Sequence, residues 1–185
     1  MKKWIVILLA VAIIGGGAFV YNTRSANAEP LEIGVSAPDF TTTGALAGEA
    51  FEFSLSEKLK DGPVVLYFFP KVFTEGCTIE ANMFAEATAE FNAAGATVIG
   101  MSGDDIEGLK KFSVSECRDK FAVARADETI IDGYQVRMAP GLAMANRTSY
   151  VIDQQGKIVF VHSATKPQGH VAGTLEIVKA LAKAD

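Results

Sequence analysis

The chain is poor in the side chains that hold metals: 185 residues include only two histidines, His162 and His170, and two cysteines, Cys77 and Cys117. Neither a Cys-x-x-Cys nor a His-Glu-x-x-His arrangement is present. Those absences exclude the common zinc signatures, so no metal site and no cofactor is expected. They also remove the dithiol motif that a thiol–disulfide oxidoreductase uses. Acidic residues are missing altogether from positions 1 to 28, where Lys2 and Lys3 precede an uncharged run from Trp4 to Tyr21 and a polar stretch ending Ala26-Asn27-Ala28. This is the pattern of an export signal, and the small residues suit cleavage before Glu29. The run of about 18 residues is also near the lower limit for a spanning helix. Residues 1–28 are therefore expected to be either a signal peptide or an N-terminal membrane anchor. Either way residues 29–185 face outward: exported and periplasmic, soluble or tethered to the inner membrane.

Basic charge is scarce as well. Without Lys2, Lys3 and Arg24 the chain keeps 14 basic against 22 acidic residues, a net charge of −8. Such a surface excludes nucleic acid as a partner. It also disfavours anionic lipid, so any membrane tether must run through the N-terminal segment. Internal repeats and low-complexity tracts are absent after residue 28, and the length suits one domain.

What is present alternates. Residues 29–50, with Pro30, Pro38, Gly34, Gly44 and Gly48, read as an irregular lead-in. Phe51-Glu52-Phe53 reads as a short strand, Val64 to Phe69 as a buried strand and Thr78 to Ala93 as a helix. Ile79, Met83, Phe84 and Phe91 are expected along one apolar stripe of that helix. A strand over Ala96 to Met101, a helix over Asp104 to Lys120 and a short strand over Phe121 to Ala126 follow. A strand pair, Thr148 to Ile152 and Lys157 to His162, turns at Asp153-Gln154-Gln155-Gly156, and a helix over His170 to Lys183 ends the chain. This order predicts an α/β fold with a central mixed sheet covered by helices on both faces, in thioredoxin-like topology.

Cys77 stands where a buried strand gives way to a helix, the place where open α/β sheets put ligands. A helix N-terminus favours the ionised form of a thiol in its first turn. Thr74 is one turn earlier, and Pro70 fixes the chain as it leaves the strand. Two cysteines in an oxidising compartment are expected to act as a redox pair.

The pattern Pro70-x-x-x-Thr74-x-x-Cys77 resembles the peroxiredoxin signature. The likeness extends through Tyr67-Phe68-Phe69-Pro70-Lys71, Gly76-Cys77-Thr78-x-Glu80, Gly100-Met101-Ser102, Asn146 to Asp153 and Gly156-Lys157-Ile158. It covers roughly residues 31 to 183 and is strongest to the bacterioferritin-comigratory, or Q-type, peroxiredoxins. The resemblance implies a thiol-dependent peroxidase acting on hydrogen peroxide and organic hydroperoxides. Cys77 would become a sulfenic acid, and a thioredoxin-like or other dithiol would recycle it. Thr74 and Arg147 would hold the peroxide oxygens, Arg147 would also stabilise the thiolate, Pro70 would shield the site, and Glu80 would orient Arg147. A monomer is expected. Many Q-type members carry a second Cys five residues after the first, where this chain has Asn82, so Cys117 would resolve the sulfenic acid as an intramolecular disulfide, as in some members of the group. Glu75 replaces a frequent Pro. Two alternatives stay open at this point: a thiol–disulfide oxidoreductase, and a non-enzymatic anchored module stapled by a structural Cys77–Cys117 disulfide. His162, at period two after Ile158 and Phe160, is expected to be a packed residue rather than a base.

Overall fold

A computed structural model describes residues 29–183. The signal or anchor expected over residues 1–28 lies outside that range. Among the described residues no helix is long and apolar enough to cross a membrane.

The fold is built around β3 (Val64–Phe68), whose five residues are all buried. Its side chains alternate: Val65 and Tyr67 enter one core, Val64, Leu66 and Phe68 the other. A strand apolar on both faces needs cover on both faces. On the first side lie α2 (Glu75–Ala93), α3 (Ile106–Ser115) and α5 (Gln168–Leu181), contributing Phe84, Phe91, Leu109, Phe112, Val171 and Val178. On the other lie the short helices α1 (Leu55–Lys58) and α4 (Glu128–Gly133), with Leu55, Ile130 and Ile131.

The sheet has seven strands in the order β2-β1-β5-β4-β3-β6-β7. Here β1 is Thr41–Leu46, β2 Glu49–Ser54, β4 Thr97–Ser102, β5 Ala122–Arg125, β6 Thr148–Ile152 and β7 Ile158–Ser163. Strands β3, β4 and β5 are parallel, while β6 runs antiparallel to β3 and β1 antiparallel to β5. The sheet is mixed with helices on both faces, as expected.

Four readings need correction. Part of the irregular lead-in is β1, which forms a hairpin with β2 through Ala47 and Gly48, both at positive φ. That two-residue geometry suits a tight hairpin turn. The helix containing Cys77 starts three residues earlier than Thr78, at Glu75. Its buried stripe is Cys77, Ala81, Phe84, Thr88 and Phe91, and Ile79 falls off it, 42% exposed. Finally, α3 ends at Ser115, so Cys117 lies beyond the helix: Cys117 N donates to the Phe112 carbonyl, and Arg118 and Asp119 both take positive φ, which a continuing helix cannot accommodate.

Candidate active site

Strand register positions the site. Phe68 pairs with Thr148 across the antiparallel β3–β6 ladder, so Arg147 emerges beside the loop that leaves β3 for α2. That loop begins at half-buried Pro70 and is anchored from β4: Asp104 Oδ2 accepts the Val72 N–H at 2.8 Å and the Ser102 hydroxyl at 2.6 Å. Phe73 takes φ +59°, an uncommon conformation for an aromatic residue, and sets its ring edge-on to Phe112 at 5.3 Å. Thr74 is the α2 N-cap in extended conformation, placing Cys77 in the first turn. The partial positive charge of that turn favours an anion there.

Cys77 is buried, and Arg147 Nη2 donates to its sulfur at 3.4 Å. Arg147 Nη1 donates to Glu80 Oε2, and Nε donates to the Thr165 carbonyl at 3.1 Å, so three contacts fix the fork. Gly76 permits this approach, because a β-carbon there would stand 3.1 Å from Arg147 Nη2. Burial pushes the Glu80 carboxyl up to about 8 against the opposing pull of Arg147. Thr74 is exposed at the mouth; its hydroxyl donates to the Lys71 carbonyl at 3.1 Å rather than turning to the sulfur. Arg125 and Arg137 stand elsewhere, Arg137 being held by Asp132 and Glu128.

Cys117 is a free thiol, as is Cys77, and is buried in the same core. Burial first, then the neighbouring Glu116 and Asp119, drive its thiol well above the usual range. Asn82 reaches Glu116 at 3.5 Å and Arg118 reaches Glu86 at 3.4 Å, laying the Cys117 segment along α2. These anchor points are five and nine residues beyond Cys77, about 7–14 Å along the helix axis.

One residue of the cluster escaped the sequence reading. His170 is fully buried, its Nδ1 3.8 Å from Glu80 Oε1 and 2.9 Å from the Ser149 hydroxyl. No local motif marks it. His162, by contrast, is packed as expected, stacked along Phe160 and edge-on to His170.

The model of the AhpC/TSA family matches residues 33–161. The chain belongs to the AhpC/TSA family. This AhpC/TSA chain is 34% identical over 155 residues to the chloroplastic peroxiredoxin Q of Oryza sativa subsp. japonica, covering 80% of this chain and 67% of the relative. A Helicobacter pylori relative named for peroxiredoxin bcp is 34% identical over 155 residues, covering 80% of this chain and 98% of its own. Among solved structures, peroxidoxin BcpB from Mycobacterium tuberculosis superposes with a TM-score of 0.74 at 30% identity, over 82% of this chain and 98% of that one. The thioredoxin-like fold of the peroxiredoxins and the Q-type resemblance are thus both found in this AhpC/TSA chain.

Proposed function

We propose that this enzyme reduces hydroperoxides with Cys77 as the nucleophile. The observation that carries the reading is Arg147 Nη2 at 3.4 Å from the Cys77 sulfur in the first turn of α2. A permanent, forked cation beside a helix N-terminus favours thiolate and offers a second donor to a peroxide oxygen. The thiolate attacks one oxygen of ROOH, the O–O bond breaks, and the alkoxide leaves as ROH after taking a proton, giving Cys77–SOH. Thr74, at the mouth, and Arg147 hold the peroxide; Pro70 shields one side; Glu80 positions Arg147. The Cys117 thiol then attacks the sulfenic sulfur, water leaves, and the Cys77–Cys117 disulfide forms. An external dithiol, thioredoxin-like in character, reduces that disulfide to close the cycle.

The enzyme works as an outward-facing monomer, exported through residues 1–28, which are either removed or retained as an inner-membrane anchor. Lys2 and Lys3 before the uncharged run support this placement.

The test is peroxide-dependent consumption of a dithiol reductant by the wild type, Cys77→Ser and Cys117→Ser. Wild-type turnover, none in Cys77→Ser, and a single oxidation event in Cys117→Ser support the scheme. Unchanged turnover in Cys77→Ser overturns it.

A further inference from the structure

Behind Arg147 the interior holds a second ionisable pair. Glu80 comes from α2 and His170 from the first turn of α5, and both are 0% exposed. Glu80 Oε2 accepts from Arg147, but Oε1 has no hydrogen-bond partner and faces His170 Nδ1 across 3.8 Å. The tautomer of His170 follows from its contacts. Nε2 lies 3.0 Å from the Ala164 carbonyl, which can only accept, so Nε2 carries the proton. Nδ1 of the neutral ring is then a single lone pair with two groups within reach, the Ser149 hydroxyl at 2.9 Å and Glu80 Oε1 at 3.8 Å. A carboxylate oxygen and a ring lone pair facing each other in a dry interior repel unless a proton is added.

Charge counting gives the same result. With Cys77 ionised, the sealed cluster holds two anions, Cys77 and Glu80, and one permanent cation, Arg147. The remaining groups facing it are Tyr67 from β3 and His162 from β7. Neither is a permanent cation, so Arg147 must be divided between two anions unless Glu80 is neutralised.

We propose that the Glu80–His170 pair holds one proton at neutral pH when Cys77 is a thiolate, and that His170 is thereby a positioning residue that leaves the charge of Arg147 to the sulfur. The pair is then neutral whichever partner carries the proton. Burial pushes Glu80 up to about 8, so its carboxyl keeps a proton at neutrality. Burial holds His170 down to about 4, which keeps Nδ1 available as the acceptor. With the Ser149 hydroxyl turned from Nδ1, an approach of about 1 Å brings Oε1–H into hydrogen-bonding reach of that lone pair. The inference rests on the reading of Cys77 as nucleophile, since only that role gives the undivided charge a purpose.

The direct test is NMR of the Glu80 carboxyl carbon and the His170 ring nitrogens in reduced, otherwise wild-type protein at neutral pH. A protonated carboxyl beside a neutral imidazole, or a carboxylate beside an imidazolium, supports the proposal. A carboxylate beside a neutral imidazole overturns it. A second arm follows the pH profile of Cys77 alkylation in Cys117→Ser protein. Glu80→Gln fixes that side chain in a neutral form, so the alkylation midpoint should not move. A midpoint that falls in Glu80→Gln, as it would if an anionic Glu80 had been sharing Arg147 with the sulfur, overturns the proposal. If Glu80→Gln does not fold, the NMR arm decides alone. Peroxide turnover surviving in Cys77→Ser would defeat the proposed function without altering the NMR result, so the two failures are distinguishable.

Discussion

Arg147 Nη2 lies 3.4 Å from the Cys77 sulfur although the two residues are 70 positions apart, and Glu80 holds the other arm of the same guanidinium. Replacing Arg147 by Met removes the cation from the sulfur and leaves Glu80 Oε2, which is buried, without its donor. The second-order rate of sulfenic acid formation should fall by about 100-fold, the usual cost of losing one preorganised donor to a reacting anion. Unfolding should also become easier. Adding Glu80→Leu, which removes the orphaned acceptor, should recover stability but not rate, as measured by denaturant melts and stopped-flow peroxide kinetics. Recovery of both would mean that Arg147 acts only as a donor to Glu80.

The dependence of stability on pH follows from the two buried groups. Glu80 is raised from 4.5 to about 8, so between those values the folded protein holds a proton that the unfolded chain has released, and Glu80's contribution is lost as pH rises through about 8. His170 is lowered from 6.5 to about 4, so its contribution is present above 6.5 and lost as pH falls through about 4. Between 4.5 and 6.5 the two slopes cancel; from 6.5 to about 8 stability should decline. Denaturation midpoints across pH should show that decline in the wild type and its disappearance in Glu80→Gln, which should instead show the His170 rise. A decline unchanged in Glu80→Gln would assign it to another group.

Disulfide formation is expected to need motion. A disulfide requires Cα atoms within about 7 Å, and the Cys117 segment is tied to α2 by Asn82 and Glu86, beyond the Cys77 turn. After peroxide, the protein should lose the mass of two hydrogens, and amides of the first turn of α2 and of residues 116–120 should exchange faster. Phe112, against which Phe73 packs and whose carbonyl accepts from Cys117 N, joins the two segments. Oxidised protein that forms only intermolecular disulfides would remove Cys117 from the cycle.

Tyr67 shows how closely the interior between these segments is filled. Its ring stacks on Phe84 at 4.3 Å and its hydroxyl is buried without a partner. A β-carbon on Gly100 would stand 2.7 Å from that hydroxyl. Gly100→Ala should therefore cost about 1–3 kcal/mol by overpacking. Tyr67→Phe should stabilise by about 1 kcal/mol, because it removes an unsatisfied polar group. Equal melts for wild type and Tyr67→Phe would show that the hydroxyl is satisfied in solution.

The parts of the fold that the sequence announced are those governed by local pattern. The run Val64 to Phe69 is a strand covered on both faces, and the apolar spacing of Phe84 and Phe91 announced α2, though with its start three residues late. Strand β1 was illegible because Thr41-Thr42-Thr43-Gly44 has no apolar alternation; pairing with β2 and β5 makes it a strand. Helix α4, six residues long, gives too few turns for a periodic signal. At the site, the place of Cys77 at the start of a helix was legible from the strand-to-helix order, and that of Arg147 only through family resemblance, because its approach depends on the β3–β6 register; the Thr74 hydroxyl is turned to the Lys71 carbonyl and not to the sulfur. His170 had no signal at all, since its place beside Glu80 exists only once α5 packs against α2.

The role of Cys77, supported by Arg147, as the peroxide-reactive thiolate is tested most directly by mixing reduced protein with one equivalent of hydrogen peroxide and mapping the first oxidised residue by trapping and mass spectrometry. Cys77 alone should carry the trapped sulfenic acid in Cys117→Ser protein, and Cys77→Ser protein should consume no peroxide above background. Sulfenic acid on Cys117, or peroxide consumption undiminished in Cys77→Ser, would contradict it.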